Sequence, residues 1–174
     1  MIIILLMITP PVITVISFVV QMARYDRIIT NVSKANRLNQ TAKEDISNEI
    51  WDIVAGNKKF NEGSQYDIID GINESLEDIM RTTEERENRQ MLEVAGRAVD
   101  TLKRNVDRLR NQMANHSLVS ENEESLDEIR GVSALISDIL QDFIVRVIES
   151  ATITNEHHKR ITFVLTIIQI FTVF

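Results

Sequence analysis

From Ile28 to Ala151 apolar residues return every three or four positions, and no stretch alternates with period two. That spacing predicts helix throughout and no strand. The first stripe is Ile28, Val32, Ala35, Leu38, Ala42, Ile46, Ile50, Ile53 and Val54. It continues from an uncharged N-terminal stretch without a breaker and should stop near Gly56. GNKKFNEGS, residues 56–64, predicts a turn, with Ser64 as N-cap of the next helix and Asp67 three residues on. A second stripe, Ile68, Ile69, Ile72, Leu76, Ile79 and Met80, fades at RTTEERENR, where Thr82 and Glu85 have capping-box spacing. A third runs through Met91, Ala95, Ala98, Leu102, Val106, Leu109 and Met113 and ends near Asn115. Ser120 and Glu123 have the spacing of another box, ahead of Leu126, Ile129, Val132, Ile136, Ile139, Phe143, Val147 and Ala151. Helices are therefore predicted at about 24–56, 65–82, 84–115 and 121–160.

No one of these helices is apolar all round, so each needs the others to bury its stripe. Four of them joined by short connections predict an all-α fold, an up-down-up-down four-helix bundle. Gly71, Gly96 and Gly131 each interrupt a predicted helix at some cost in propensity, and the expectation is that they mark close approach of neighbouring helices.

The charges frame this bundle. The first is Arg24 and the last is Arg160, so all 45 charged side chains lie between them. Residues 1–23 carry none, and a helix of that length, about 35 Å, crosses a ~30 Å hydrocarbon core. This stretch is read as a first transmembrane helix, kinked at Pro10 and Pro11. A cleaved leader is the competing reading, but the run is long, has no basic lead and has no small-x-small exit before Arg24. Residues 161–174, ITFVLTIIQIFTVF, are again uncharged but reach only about 21 Å. They are read as the start of a second transmembrane helix, with the expectation that the parent protein continues past Phe174. Residues 24–160 then form one bundle domain on one side of the membrane. Flanking charge does not decide which side, because domains much longer than ~60 residues translocate largely regardless of it.

Predicted helix lengths add a partner. The first helix rises about 50 Å, the second descends only about 27 Å and the fourth returns about 60 Å. Only the first and fourth reach the membrane, where Ile28, Val32, Val147 and Ala151 would lack half their neighbours. A parallel homodimer would complete that section.

Composition removes much chemistry. With no Cys there is no disulfide scaffold, thiolate zinc site or cysteine nucleophile, and three His leave little for another metal cage. Five Gly with no GxG pattern exclude Gly-rich phosphate loops, and a net charge of -7 gives no basic footprint for nucleic acid. His157 and His158 in NEHHKR diverge by about 100° on a helix and read as a polar collar with Lys159 and Arg160. His116 falls in a predicted loop. Acidic pairs at Glu84 and Glu85, Glu123 and Glu124, and Asp67 and Asp70 read as solvated helix faces. Sequons at Asn31, Asn39, Asn73 and Asn115 fall mostly on predicted helices and are not read as glycosylation sites. No catalytic residue, cofactor site or metal site is assigned. Trp51 and Arg146 are the ligand-binding candidates, since an aromatic ring and a guanidinium beside a bundle core can recognise a small organic anion. The plainer reading packs Trp51 beside Ile50 and Val54 and leaves Arg146 as a solvated flank of the Phe143 and Val147 seam.

A membrane span entering a long helix, a charged four-helix bundle and a return helix entering a second span resembles the input region of bacterial sensor histidine kinases. NEIWDIVAGNKKFNEGSQYDIIDGI and DEIRGVSALISDIL carry that likeness, and the layout is similar to the sensor bundles of methyl-accepting chemotaxis receptors. The resemblance implies a multi-pass protein of the cell membrane with an extracytoplasmic bundle. Its stimulus, a small molecule or a protein not named by any residue cluster, would be relayed through the fourth helix and second span to a cytoplasmic HAMP-type relay and output module. It also implies no kinase activity in this segment, because NEHHKR departs from the phospho-accepting His motif. Two further readings stand beside it: a membrane-inserting or pore-forming bundle, and an anchored bundle without a stimulus.

Overall fold

The computed structural model describes the chain path over residues 2–115 and 119–173, and side-chain surroundings over 11–115, 122–154, 161 and 164. Helix α1 spans Ile2–Gln40 and passes through a π-helical turn, Thr41–Asp45, into α2, Ile46–Val54. A short 3-10 turn, Phe60–Glu62, precedes α3, Gln65–Thr82; α4 is Arg86–Ala114 and α5 is Val119–Val173. The all-α expectation holds, with no strand among the described residues. The bounds of α3 are those predicted, α4 starts two residues later than expected, and α5 runs on into the uncharged end.

The π-helical turn was not foreseen, although its cause is in the stripe. Leu38, Ala42, Ile46 and Ile50 are spaced by four. In a straight α-helix each such step drifts about 40°, so three would carry the stripe about 120° off the core. The wider turn, in which the Ile46 N–H donates to the Thr41 carbonyl, takes up that drift. Leu38, Ala42, Ile46 and Ile50 are all buried as a result.

The first rod ends as its glycine requires. Gly56, at φ +79°, donates to Ile53 O, and Asn57 donates to Asp52 O at 2.9 Å, a Schellman closure in which the left-handed position suits glycine. The expected N-terminal caps are corrected. Ser64 stands at the N-cap of α3 but makes no side-chain cap; its N–H instead donates to Glu49 Oε1 at 2.6 Å. Thr82 remains inside α3 and its hydroxyl donates to Asn31 Oδ1 at 2.8 Å, while Glu85 itself is the N-cap of α4 without a side-chain cap bond. Asn88 Nδ2 donates to Glu85 Oε2 at 2.8 Å in place of the box. Ser120, half of the remaining expected box, lies outside the residues whose side chains are described.

Two compact units are present, Asn31–Val145 and Met1–Thr30 with Arg146–Phe174. The first is the bundle, and its polar contacts give the order of the rods. Lys34 pairs with Asp78 between α1 and α3. Tyr66 Oη donates to Asp107 at 2.6 Å and Lys103 to Asp70 at 2.9 Å between α3 and α4. Arg108 pairs with Glu128 at 2.5 Å between α4 and α5, and the Ser137 hydroxyl donates to Asn39 Oδ1 between α5 and α1. Each rod thus meets its two sequence neighbours, the first meeting the last, as the rods of a helical bundle do. The interior is filled by Ile50, Ile53, Ile69, Ile72, Leu92, Leu102, Leu109, Ile129 and Phe143, all without solvent exposure. Leu92, Val99, Leu140 and Ile144 join the core beyond the predicted stripes. The expectation for the glycines fails: a Cβ built at Gly71, Gly96 or Gly131 meets nothing within 4 Å, so these residues face open space.

In the second unit Ile28 and Ala151 are half-buried and Val147 is buried. Among the described residues no helix is long and apolar enough to cross a membrane. The described uncharged run there is 11–23, about 20 Å as helix, since the side chains of residues 1–10 fall outside the description. Most of 161–174 falls outside it as well. α1 does not end at Pro10 and Pro11.

Candidate functional site

Trp51 sits on α2, one residue beyond buried Ile50, a step of about 100° that turns it out of the core. It is 51% exposed, so the packing reading for it gives way. The Arg130 guanidinium of α5 lies over its ring, 5.6 Å from the centroid, and also pairs with Asp127 at 3.5 Å. Arg130 is the partner that sequence reasoning missed. The two residues are remote in sequence, and only the closure of the ring between the first and last rods joins them. Arg146 is exposed on the part of α5 that belongs to the other unit, as a solvated flank was expected to be.

The most organised polar cluster closes the 55–64 turn. Glu49, only 11% exposed at its side chain, accepts both from Lys58 Nζ, at 2.8 and 2.9 Å, and from the Ser64 N–H. Burial pushes its carboxyl upward, but the hydrogen bonds from Lys58 and Ser64 and the Lys58 charge outweigh burial and hold it below the ordinary 4.5. Gln65 Nε2 donates to Phe60 O at 2.9 Å, while its buried Oε1 has no partner. The Phe60 and Tyr66 rings lie 6.2 Å apart at 58°. Tyr66 is held protonated above its ordinary value, by burial first and then by its bond to Asp107. Asp78 is held low by the Lys34 hydrogen bond and charge, and Lys103 is held high by Asp70. These groups rest in charged or inert forms that tie rods together, not poised near neutrality for proton transfer.

Of the expected acidic pairs, Asp67, Asp70, Glu84, Glu123 and Glu124 are exposed, and Asp70 serves the Lys103 bridge. No group of three or more potential metal ligands occurs among the described residues. His116, His157 and His158 lie outside the residues whose side chains are described. Asn31 is 6% exposed and engaged with Thr82, and Asn39 contacts Ser137 and Gln141, which places both within the bundle's own hydrogen bonding.

A second feature lies along the inner face of α5. Ser125, Ser133 and Ser137 are buried there at spacings of eight and four. Ser125 donates to Gln112 at 2.6 Å and Ser137 to Asn39, whereas the Ser133 hydroxyl has no hydrogen-bond partner. Ser125 thus ties α5 to α4 and Ser137 ties it to α1, while Ser133 adds no bond between rods. Periodicity found the face but not these serines, because a mid-helix serine reads as solvated.

In the other unit, α1 and α5 wall an apolar groove of about 210 Å³ that includes Val20, Arg24, Tyr25, Ile28 and Ala151. Just before it, Val12, Ile13, Val15, Ile16, Phe18, Val19, Val20 and Met22 are 47–63% exposed, which at 100° per residue leaves apolar surface all round the helix. Comparison with protein-family models, with curated proteins and with solved structures gives no match for this chain.

Proposed function

We propose that this chain is the signal-input region of a membrane-bound receptor, of the sensor histidine kinase kind. The observation that carries the reading is continuity: α1 and α5 each run without a break between an uncharged end and the bundle interior. The exposed apolar belt at 12–22 supports placing 1–23, and with it 161–174, in a bilayer, because contiguous apolar surface of that kind needs covering. A stimulus that prefers one arrangement of the rods would bias α5, and a differential binding of ~1–3 kcal/mol is enough to shift such an equilibrium. Half-buried Ile28 and Ala151 support a parallel homodimer in which a second copy contributes their missing neighbours.

The deciding experiment reads the coding region downstream of Phe174. A HAMP-like helix pair followed by a phospho-accepting His and an ATP-binding domain establishes the kinase reading; a long methylatable hairpin makes the protein a chemoreceptor; a stop codon removes both. A membrane-inserting bundle stored in soluble form requires its apolar segment to be hidden, whereas the 12–22 belt is open. Chain made without detergent that stays soluble and lyses liposomes would favour that alternative.

A further inference from the structure

Between α1 and α3 the bundle carries a groove of about 720 Å³, within the ~300–1,000 Å³ of small-molecule sites, and all its walls belong to the unit Asn31–Val145. Leu38 and Ile72 give it an apolar floor, and Gly71 leaves that floor open, since a Cβ there meets nothing within 4 Å. Thr41, the first residue of the π-helical turn, lines its α1 wall, and wide turns of this kind recur at functional sites. At one end Lys34, Asp78 and Arg81 satisfy one another. Arg37, Asp67, Glu74 and Glu77 also line the groove, and among the described residues none of these four makes an ion pair or a side-chain hydrogen bond. Asp67 is left over for a definite reason: the Ser64 N–H, which a capping box would give it, donates to Glu49 instead.

The spacing of these free charges names a ligand. The contacts Asn31 to Thr82 and Lys34 to Asp78 set the antiparallel register of α1 and α3. Arg37 then stands level with Ser75, eight residues and about 12 Å along the axis from Asp67. A free amino acid, whose ammonium and carboxylate flank a single carbon, cannot engage both. An extended chain of four residues, at ~3.3–3.6 Å each, spans the distance. A guanidinium holds a carboxylate through two parallel bonds, and a carboxylate accepts from an ammonium. Glu74 and Glu77, on the α3 wall near the level of Arg37, favour a cationic side chain there and oppose an acidic one.

We propose that the groove between α1 and α3 binds a short peptide, free at both ends and basic at its last residue. Its terminal ammonium lies on Asp67, its terminal carboxylate on Arg37 and its last side chain against Glu74 and Glu77. As the stimulus of a receptor the peptide rests on the reading above; as a ligand it rests on the groove alone. Seated there it touches α3 and, at the start of the wide turn, the first rod.

The test is equilibrium dialysis of the whole chain, held in detergent micelles, against radiolabelled Ala-Ala-Ala-Lys. Saturable binding is expected, weakened about tenfold when the peptide is acetylated at its amino end or amidated at its carboxyl end. Asp67→Asn should weaken the free peptide as much but leave the acetylated one unaffected, and Arg37→Gln should stand in the same relation to the amidated one, a pairing that a merely structural role would not produce. Gly71→Leu gains helix propensity while filling the groove, so it should keep or raise the thermal midpoint and abolish binding. Ala-Ala-Ala-Glu should bind about tenfold more weakly than the lysine peptide. No saturable binding, binding matched by free lysine, or binding indifferent to Gly71→Leu and to both end groups overturns the site and leaves the receptor reading intact. Peptide binding with the expected pairings in a chain whose coding region stops after Phe174 supports the site and removes the receptor reading.

Discussion

Ser133 shows how a residue invisible to periodicity matters once its surroundings are known. Its buried hydroxyl has no partner, so Ser133→Ala removes a desolvated polar group and leaves a side chain of nearly the same shape. Urea unfolding of the variant should show a gain of about 1 kcal/mol. Glu49 has the opposite sign. Its carboxylate is stabilised in the folded state, so its contribution is fully present above the ordinary value of 4.5 and is lost as the pH falls through the lower folded value. Glu49→Gln should cost ~2 kcal/mol at neutral pH. It should also flatten the acid limb of the stability profile, and an unchanged acid limb would show that Glu49 is not the group responsible. Gly63→Ala should destabilise by ~1–3 kcal/mol, because the added methyl would run into Gln65 Oε1 and stand 2.8 Å from Ile53 Cδ1 of α2 and 3.0 Å from Glu49 Oε1. None of the three was legible in the chain, since burial of a single hydroxyl, a Lys58 clasp and a crowded glycine are products of packing.

At the scale of elements the pattern told much more. The stripes located every rod, and the first one stops at Gly56, where a helix stop was expected. Two kinds of signal misled. Capping-box spacing at Ser64 and at Thr82 met backbone donors already served in other ways, by Glu49 in the first case and by displacement of the helix start in the second. Mid-helix glycines were read as contacts, whereas all three face open space. That error has a useful consequence: Gly71→Ala, Gly96→Ala and Gly131→Ala should each stabilise the bundle by ~0.5–1 kcal/mol through backbone entropy and helix propensity. The gains should be close to additive in thermal melts of the triple variant. The π-helical turn is likewise testable. Deleting Lys43 changes the four-residue spacings to an alternation of three and four, so the shortened rod should fold as unbroken α-helix with stability within ~1 kcal/mol of the parent. Deleting Asp70 from α3, which has no such slack, should instead turn Ile72, Leu76 and Ile79 off the core and abolish cooperative unfolding.

For the whole molecule, the all-α, bundle-like class followed from periodicity alone. What periodicity could not supply was the pairing of Trp51 with Arg130, which exists only because the first and last rods close the ring. Arg146, chosen with Trp51 from residue type, belongs to a different unit, because a helix as long as α5 serves both. If the homodimer is the working state, detergent-solubilised chain should sediment as a dimer at micromolar concentration, and a monomer there would refute that arrangement.

The two long rods also differ mechanically. α5 is one uninterrupted helix, whereas the first rod contains a wide turn at Thr41–Asp45. A twist applied at the foot of α5 is transmitted along its whole hydrogen-bonded ladder, while the same twist on α1 meets a torsionally soft joint before reaching Ile46. Under the proposed receptor reading the first rod would be a compliant mount and the last the drive shaft, and amide exchange should be faster across 41–46 than at comparable depth in α5.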